Sequence, residues 1–370
     1  MQSSFLDRFR RVTFSTNYLP QVDGLRFLAL FSVVVIMHIT HYIDEKFYGN
    51  VLINHPYWQN FVIEGGNGVS LFFVISGFIL SLPFAKWRLQ QSNKISLKQY
   101  YVKRLTRLEP PYIIVLILCF IAHVWVLHKY TFTELLPHFF ASVLYLHTII
   151  YDSFSFVLPV AWSLEIEVQF YVLAPLLCSV YLIKPNSVRW GLFILIIVAS
   201  AVYWFDVWEI GTVVMFLHYF FCGMFIADMY CSKKALVKNE EVGFLVGGVA
   251  LLIFLFMPSL HLMAGYLIKM ISIFLLVHLT LTNRYLKKIF SVHFMALIGG
   301  MCYSIYLLHF AIISFVGRML IENGVNPVSK SYYIPLALSL IFSVLLLSSI
   351  YFIAIEKPFM RWIGFRKTNV

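Results

Sequence analysis

Seven side chains have types and spacings that can do chemistry: His38, Glu165, Glu167, Arg104, Arg107, Arg26 and Ser76. An imidazole can take a proton from a hydroxyl, or carry an acyl group briefly as an acyl-imidazole. A carboxylate beside it can orient the ring and stabilise its cation. Arg104 and Arg107 are three residues apart, so on a helix they share a face and form a forked pair suited to phosphate. Taken alone, that pair is better explained as a positive anchor at lipid headgroups. Ser76 has no base next to it in sequence and sits deep in an apolar run, so packing or the lining of a narrow channel is its plainer reading. His38 and His41 also share a helix face, but no matching carboxylate pair completes a metal site, and none is expected.

These residues sit in elements of one kind. The chain has 370 residues, of which 61% are hydrophobic and 12% charged, with mean hydropathy +0.83. A soluble domain carries about 25% charged residues, so a water-soluble enzyme is excluded. An aromatic content of 18% excludes disorder. Long apolar runs, rather than short alternating strands, exclude a membrane barrel. The fold class is therefore all-α: a polytopic bundle of about ten transmembrane helices. Runs of the required length, about 20 residues, occur at 22–43, 66–84, 110–128, 159–183, 189–207, 211–231, 242–258, 261–283, 292–321 and 333–355. The run at 135–150 is too short to cross and reads as an outer-face or re-entrant helix. A kink is expected at Gly299-Gly300.

Charge sets the orientation. With the N-terminus inside, inner segments hold 22 Lys and Arg, Arg8, Arg189, Arg366 and Lys367 among them. Outer loops hold three: Lys46, Lys129 and Lys330. Both termini are thus expected in the cytoplasm. The net charge of +11 belongs to these loops and implies no nucleic-acid partner. The five cysteines form no CxxC pair and imply neither a disulfide framework nor a zinc site. Residues 1–370 read as one integral-membrane domain, with a basic N-terminus at 1–21, a basic loop at 84–109 and a tail at 356–370. No soluble catalytic domain is expected after Glu356.

Depth brings the chemistry together. His38 lies 12 residues, about 18 Å, beyond Arg26 along the first helix. Glu165 and Glu167 lie about 9–12 Å below Pro159 on the fourth span, at a depth similar to that of His38. Ionisable groups there are costly, so a functional role is the default reading. Two residues apart, the glutamates do not share a face, and which one points toward His38 stays open.

In order along the chain, these segments resemble the integral-membrane acyltransferase family 3, bacterial multi-spanning enzymes that O-acylate sugars. Asp23-Gly-Leu-Arg26 with His38 resembles its opening motif. Gly65…Gly68-Val-x-Leu-Phe-Phe-Val-Ile-Ser76-Gly77-Phe78 resembles the second-helix motif. Arg104-x-x-Arg107-Leu-x-Pro110-x-Tyr112 resembles the paired-arginine motif, and Trp162-Ser-Leu-x-Ile-Glu167-x-Gln-Phe-Tyr171-x-x-x-Pro175 the acidic one. Ser304-x-Tyr306-Leu-Leu-His309 and Glu356-Lys-Pro358 resemble the late motifs. One departure stands out: 11 residues separate Arg26 from His38, where the family more commonly has ten. One extra residue turns a helix by about 100°, so either the helix is locally wound differently or Arg26 faces another way.

The resemblance implies a multi-pass protein of the cell (inner or plasma) membrane. It implies an acyl-CoA donor, acetyl-CoA by default, from the cytoplasm, and a hydroxyl acceptor on a cell-surface or exported glycan. His38 with Glu167 or Glu165 would be catalytic; Arg104, Arg107, Arg26 and Ser76 would bind the donor. An acceptor that is a small natural product or a lipid is the alternative within this class. A secondary transporter is the alternative from another, although no inverted repeat accompanies the break at Gly299-Gly300. An inert scaffold has no use for buried charge in the first and fourth spans. The oligomeric state stays open.

Overall fold

The computed structural model describes residues 9–11, 18–51, 54–206, 212–258, 263–325 and 332–365. Arg8, His261, Lys330, Arg366 and Lys367 lie outside the described residues. Every regular element among those described is helical.

Among the described residues, eight helices are long and apolar enough to cross a membrane. They are α1 (Pro20–Phe47), α2 (Tyr57–Leu89), α3 (Leu97–Val126), α6 (Pro159–Leu182), α7 (Asn186–Phe205), α10 (Met263–Thr282), α13 (Cys302–Glu322) and α14 (Tyr333–Arg361). The short run at 135–150 forms α4 (Phe132–Val143) and α5 (His147–Tyr151). The expected spans at 211–231 and 242–258 are α8 (Leu217–Cys231), 15 residues, and α9 (Glu240–Phe256), 17 residues. Two shorter helices, α11 (Arg284–Phe290) and α12 (His293–Gly300), precede α13. The run at 292–321 is thus two helices, broken at Met301 just after Gly299-Gly300.

Local chemistry sets the ends. α1 opens on Pro20, whose missing N–H costs nothing in a first turn. Ser96 caps α3 by accepting from the Gln99 N–H at 3.4 Å. Thr131 and Glu134 form a reciprocal capping box on α4.

The contacts divide the chain into two compact units. The first comprises residues 1–69, 252–259 and 289–370. Here the N-terminal half of α1 packs along α12. Small residues permit it: a Cβ on Gly299 would collide with the Asp23 carbonyl, and one on Gly24 with the Phe290 carbonyl. Gly65 and Gly68 do the same for α2, where a Cβ would strike the Ser32 and Ala29 carbonyls. Ser32 Oγ donates to the Gly65 carbonyl at 2.9 Å. Close packing is therefore what this glycine-rich motif provides.

The second unit comprises residues 70–251 and 260–288. Its centre is α8, packed on α7 and α10. Phe170 of α6 stacks on Phe220 of α8 with ring centroids 4.1 Å apart. Arg189, counted above with the inner-loop charges, is instead 1% exposed and paired with Asp228. All five cysteines are free thiols.

Candidate functional site

In the first unit, α1 is not a uniform α-helix. Residues Phe31–Ile39 are π-helical, and the Thr40 N–H reaches back five residues to the Val35 carbonyl. Wider turns of this kind absorb extra residues and occur often at functional sites. The segment lies between Arg26 and His38 and contains the latter, so the longer spacing coincides with a locally different winding.

His38 ends up against His309 of α13. Its Nδ1 lies 3.0 Å from His309 Nε2, and His309 Nδ1 lies 2.6 Å from the Tyr306 carbonyl oxygen. His309 is fully buried. Phe310 packs edge-on to the His38 ring at 5.7 Å. The base of α13 is fixed by Glu356, which accepts from Ser304 N at 3.2 Å and Ser304 Oγ at 2.5 Å. Two late motifs far apart in sequence therefore meet. The second carries its own π-helical turn, Phe352–Glu356. His41 lies 3.6 Å from Glu45 in a more exposed pair.

Arg26 is engaged one turn back on its own helix, its Nη1 2.5 Å from Asp23 Oδ1. Arg11 adds a second cation at 3.3 Å, and the Tyr18 hydroxyl donates to Asp23 Oδ2 at 2.9 Å. Burial and the adjacent carboxylate push the Tyr18 hydroxyl up to about 12.

In the second unit, Glu167 accepts from Ser76 Oγ at 2.5 Å. Tyr171, four residues on and so on the same helix face, also hydrogen-bonds to Glu167. Arg104 interacts electrostatically with Tyr171, Tyr100, Arg107 and Glu167, and its guanidinium lies 5.9 Å from the centre of the Tyr100 ring. Ser76, Glu167, Arg104 and Arg107 thus belong to one cluster, in which a carboxylate and two phenols lie within electrostatic reach of two guanidiniums. Such a set can hold phosphate oxygens on the guanidiniums while the carboxylate balances their charge. Glu165 turns elsewhere: its Oε2 accepts from the N–H and the hydroxyl of Thr148, each at 2.9 Å. Its Oε1 is buried and has no hydrogen-bond partner among the described residues.

No group of three or more His, Cys, Asp or Glu among the described residues is placed to hold a metal ion. The pairings of His309, Tyr171 and Thr148 are what the sequence did not reveal. His309 lies within a recognisable motif, and its spacing from Tyr306 was the one available signal.

The elements and clusters define a multi-span helical membrane protein with several buried ionisable groups. Residues 19–354 match the family model described as an acyltransferase domain, and the chain belongs to that family, acyltransferase family 3. A Staphylococcus aureus (strain COL) protein, provisionally named O-acetyltransferase SACOL0978, is 26% identical over 369 residues, covering 89% of this chain and 56% of its own length. The peptidoglycan O-acetyltransferase OatA of Listeria monocytogenes is 26% identical over 340 residues, covering 82% of this chain and 51% of its own length. The O-acetyltransferase OatA of Staphylococcus aureus (strain NCTC 8325) is 25% identical over 346 residues, covering 84% and 53%. The chain therefore spans about half the length of the curated relatives it matches. No solved structure matches it.

Proposed function

We propose that this protein is a membrane O-acyltransferase of the cell membrane, with about ten spans and both termini in the cytoplasm. It moves an acyl group from cytoplasmic acyl-CoA to a hydroxyl on a cell-surface or exported glycan. The observation that carries the reading is the family match, because residues 19–354 include all seven side chains singled out by their chemistry. The names of the relatives favour acetyl as the group transferred and make peptidoglycan a leading acceptor.

His38 acts as the base. It takes the proton of the acceptor hydroxyl as that oxygen attacks the thioester carbonyl. The C–S bond then breaks, and the imidazolium returns the proton to the coenzyme A sulfur. In the alternative route the imidazole attacks the thioester carbonyl and the C–S bond breaks to release the thiolate; the acceptor hydroxyl then attacks the acyl-imidazole, the C–N bond breaks, and the hydroxyl proton ends on the coenzyme A sulfur. Arg104 and Arg107 hold the donor's phosphates, Ser76 contributes to the donor site, and Arg26 adds a cation held by Asp23. Glu167 is the family-matched acid that orients the His38 imidazole and stabilises its positive form, with Glu165 the competitor for that role.

Mass spectrometry of cell-surface glycans, with and without the protein, tests the reading. The expected result is loss of an O-acyl mass increment in the deletion, restored by the wild-type chain and not by a well-expressed His38→Ala variant. An unchanged glycan profile, or full restoration by His38→Ala, overturns it.

A further inference from the structure

We propose that His309 is a positioning residue that holds His38 in one tautomer, with the proton on Nδ1 and the lone pair on Nε2. The inference rests on the reading of His38 as the base, but it concerns a different residue and has its own test. A carbonyl oxygen can only accept, so the Tyr306 oxygen, 2.6 Å from His309 Nδ1, places a proton on that nitrogen. A neutral His309 then presents Nε2 as an acceptor. That nitrogen lies 3.0 Å from His38 Nδ1, so the shared proton belongs to His38. A neutral His38 is left with its lone pair on Nε2, on the opposite edge of the ring from His309.

A histidine side chain in water prefers the other arrangement, with the proton on Nε2, so His309, together with the Val33 carbonyl that also hydrogen-bonds the His38 ring, has to impose this one. The frame around it is built for that. His309 is fully buried, Phe310 packs against the His38 ring, and the Ser304–Glu356 hydrogen bonds tie down the first turn of α13. A backbone carbonyl two links away thus sets the His38 tautomer, one of the two things a carboxylate does in a triad; it supplies no charge to stabilise the imidazolium.

The test is NMR of the full-length protein in lipid nanodiscs with 15N-labelled histidine rings. The His38 signals are assigned by difference from His38→Gln. The expected wild-type spectrum shows His38 protonated at Nδ1. In His309→Leu, the proton moves wholly or partly to Nε2, and kcat falls by roughly 10²–10⁴-fold, the range that placed acid–base groups contribute, with KM for acetyl-CoA unchanged. His309→Gln keeps an acceptor oxygen and recovers part of both effects.

A wild-type His38 protonated at Nε2 overturns the proposal, and that reading needs no His309 variant to fold. So does a His309→Leu protein in which tautomer and kcat are both unaltered. If His38→Ala stays fully active while the spectra behave as expected, the functional reading falls and the hold of His309 on the ring stands.

Discussion

Arg189 and Asp228, 39 residues apart in sequence, form an ion pair sealed inside the second unit. Arg189 Nε donates to Asp228 Oδ2 at 2.5 Å and Nη2 to Oδ1 at 3.3 Å. The Trp190 indole N–H adds a third bond to Oδ1 at 2.8 Å. The remaining guanidinium bonds go to the Ile183 carbonyl at 2.8 Å and Asn186 Oδ1 at 2.9 Å. The pair joins the start of α7 to α8, so a helix of only 15 residues is anchored by charge as well as by packing.

Removing one partner should therefore cost more than removing both. Asp228→Leu strands the buried Arg189 guanidinium without its counter-charge and leaves the part-buried Trp190 N–H unpaired, which costs about 3–5 kcal/mol. Arg189→Met with Asp228→Leu leaves no orphaned charge and should recover most of that loss. Thermal unfolding in detergent gives the comparison. A double variant no more stable than either single one would remove the pair as the reason α8 is held.

The Arg104–Arg107 cluster makes a second prediction, this time on binding. A charge-assisted hydrogen bond contributes about 1.5–3 kcal/mol, so Arg104→Ala or Arg107→Ala should weaken acetyl-CoA binding roughly 10–100-fold. Lysine at either position should rescue poorly, because a point charge cannot make the forked contact. Desulfo-coenzyme A titrated against each variant by calorimetry separates binding from turnover. Lost activity with donor affinity intact would end the phosphate assignment.

The outline of the bundle was readable because a backbone in lipid has to satisfy its own hydrogen bonds, which turns spans into long apolar runs. Even the break before α13 showed itself, in Gly299-Gly300. What was hidden depended on distance or on winding. No residue pattern encodes a five-residue hydrogen-bond closure, so the π-helical Phe31–Ile39 segment left only an oddly long Arg26–His38 spacing as its trace. Arg189 looked like an anchor because its partner is on another helix. His38 and His309 are 271 residues apart, and nothing local to either announces the other.

A second imidazole pair gives a prediction in pH. His138 Nδ1 lies 2.9 Å from His147 Nε2, and His147 Nδ1 lies 3.1 Å from the Ser153 carbonyl. Burial lowers both rings from the ordinary imidazole value; at His147 the neighbouring His138 adds to this while the Ser153 carbonyl works against it. The unfolded segment thus binds more protons than the folded one below about pH 6.5, so local stability falls as pH drops through that value and further down. Thr148, the next residue, holds Glu165, so loosening α5 also frees that carboxylate. Hydrogen exchange over residues 132–151, corrected for chemical exchange, should show weaker protection at about pH 5.5 than at about pH 7.5. The difference should shrink in His147→Gln, and acyl transfer should decline over the same range. Equal protection at both pH values would show that proton uptake by this pair is not coupled to the order of α4 and α5.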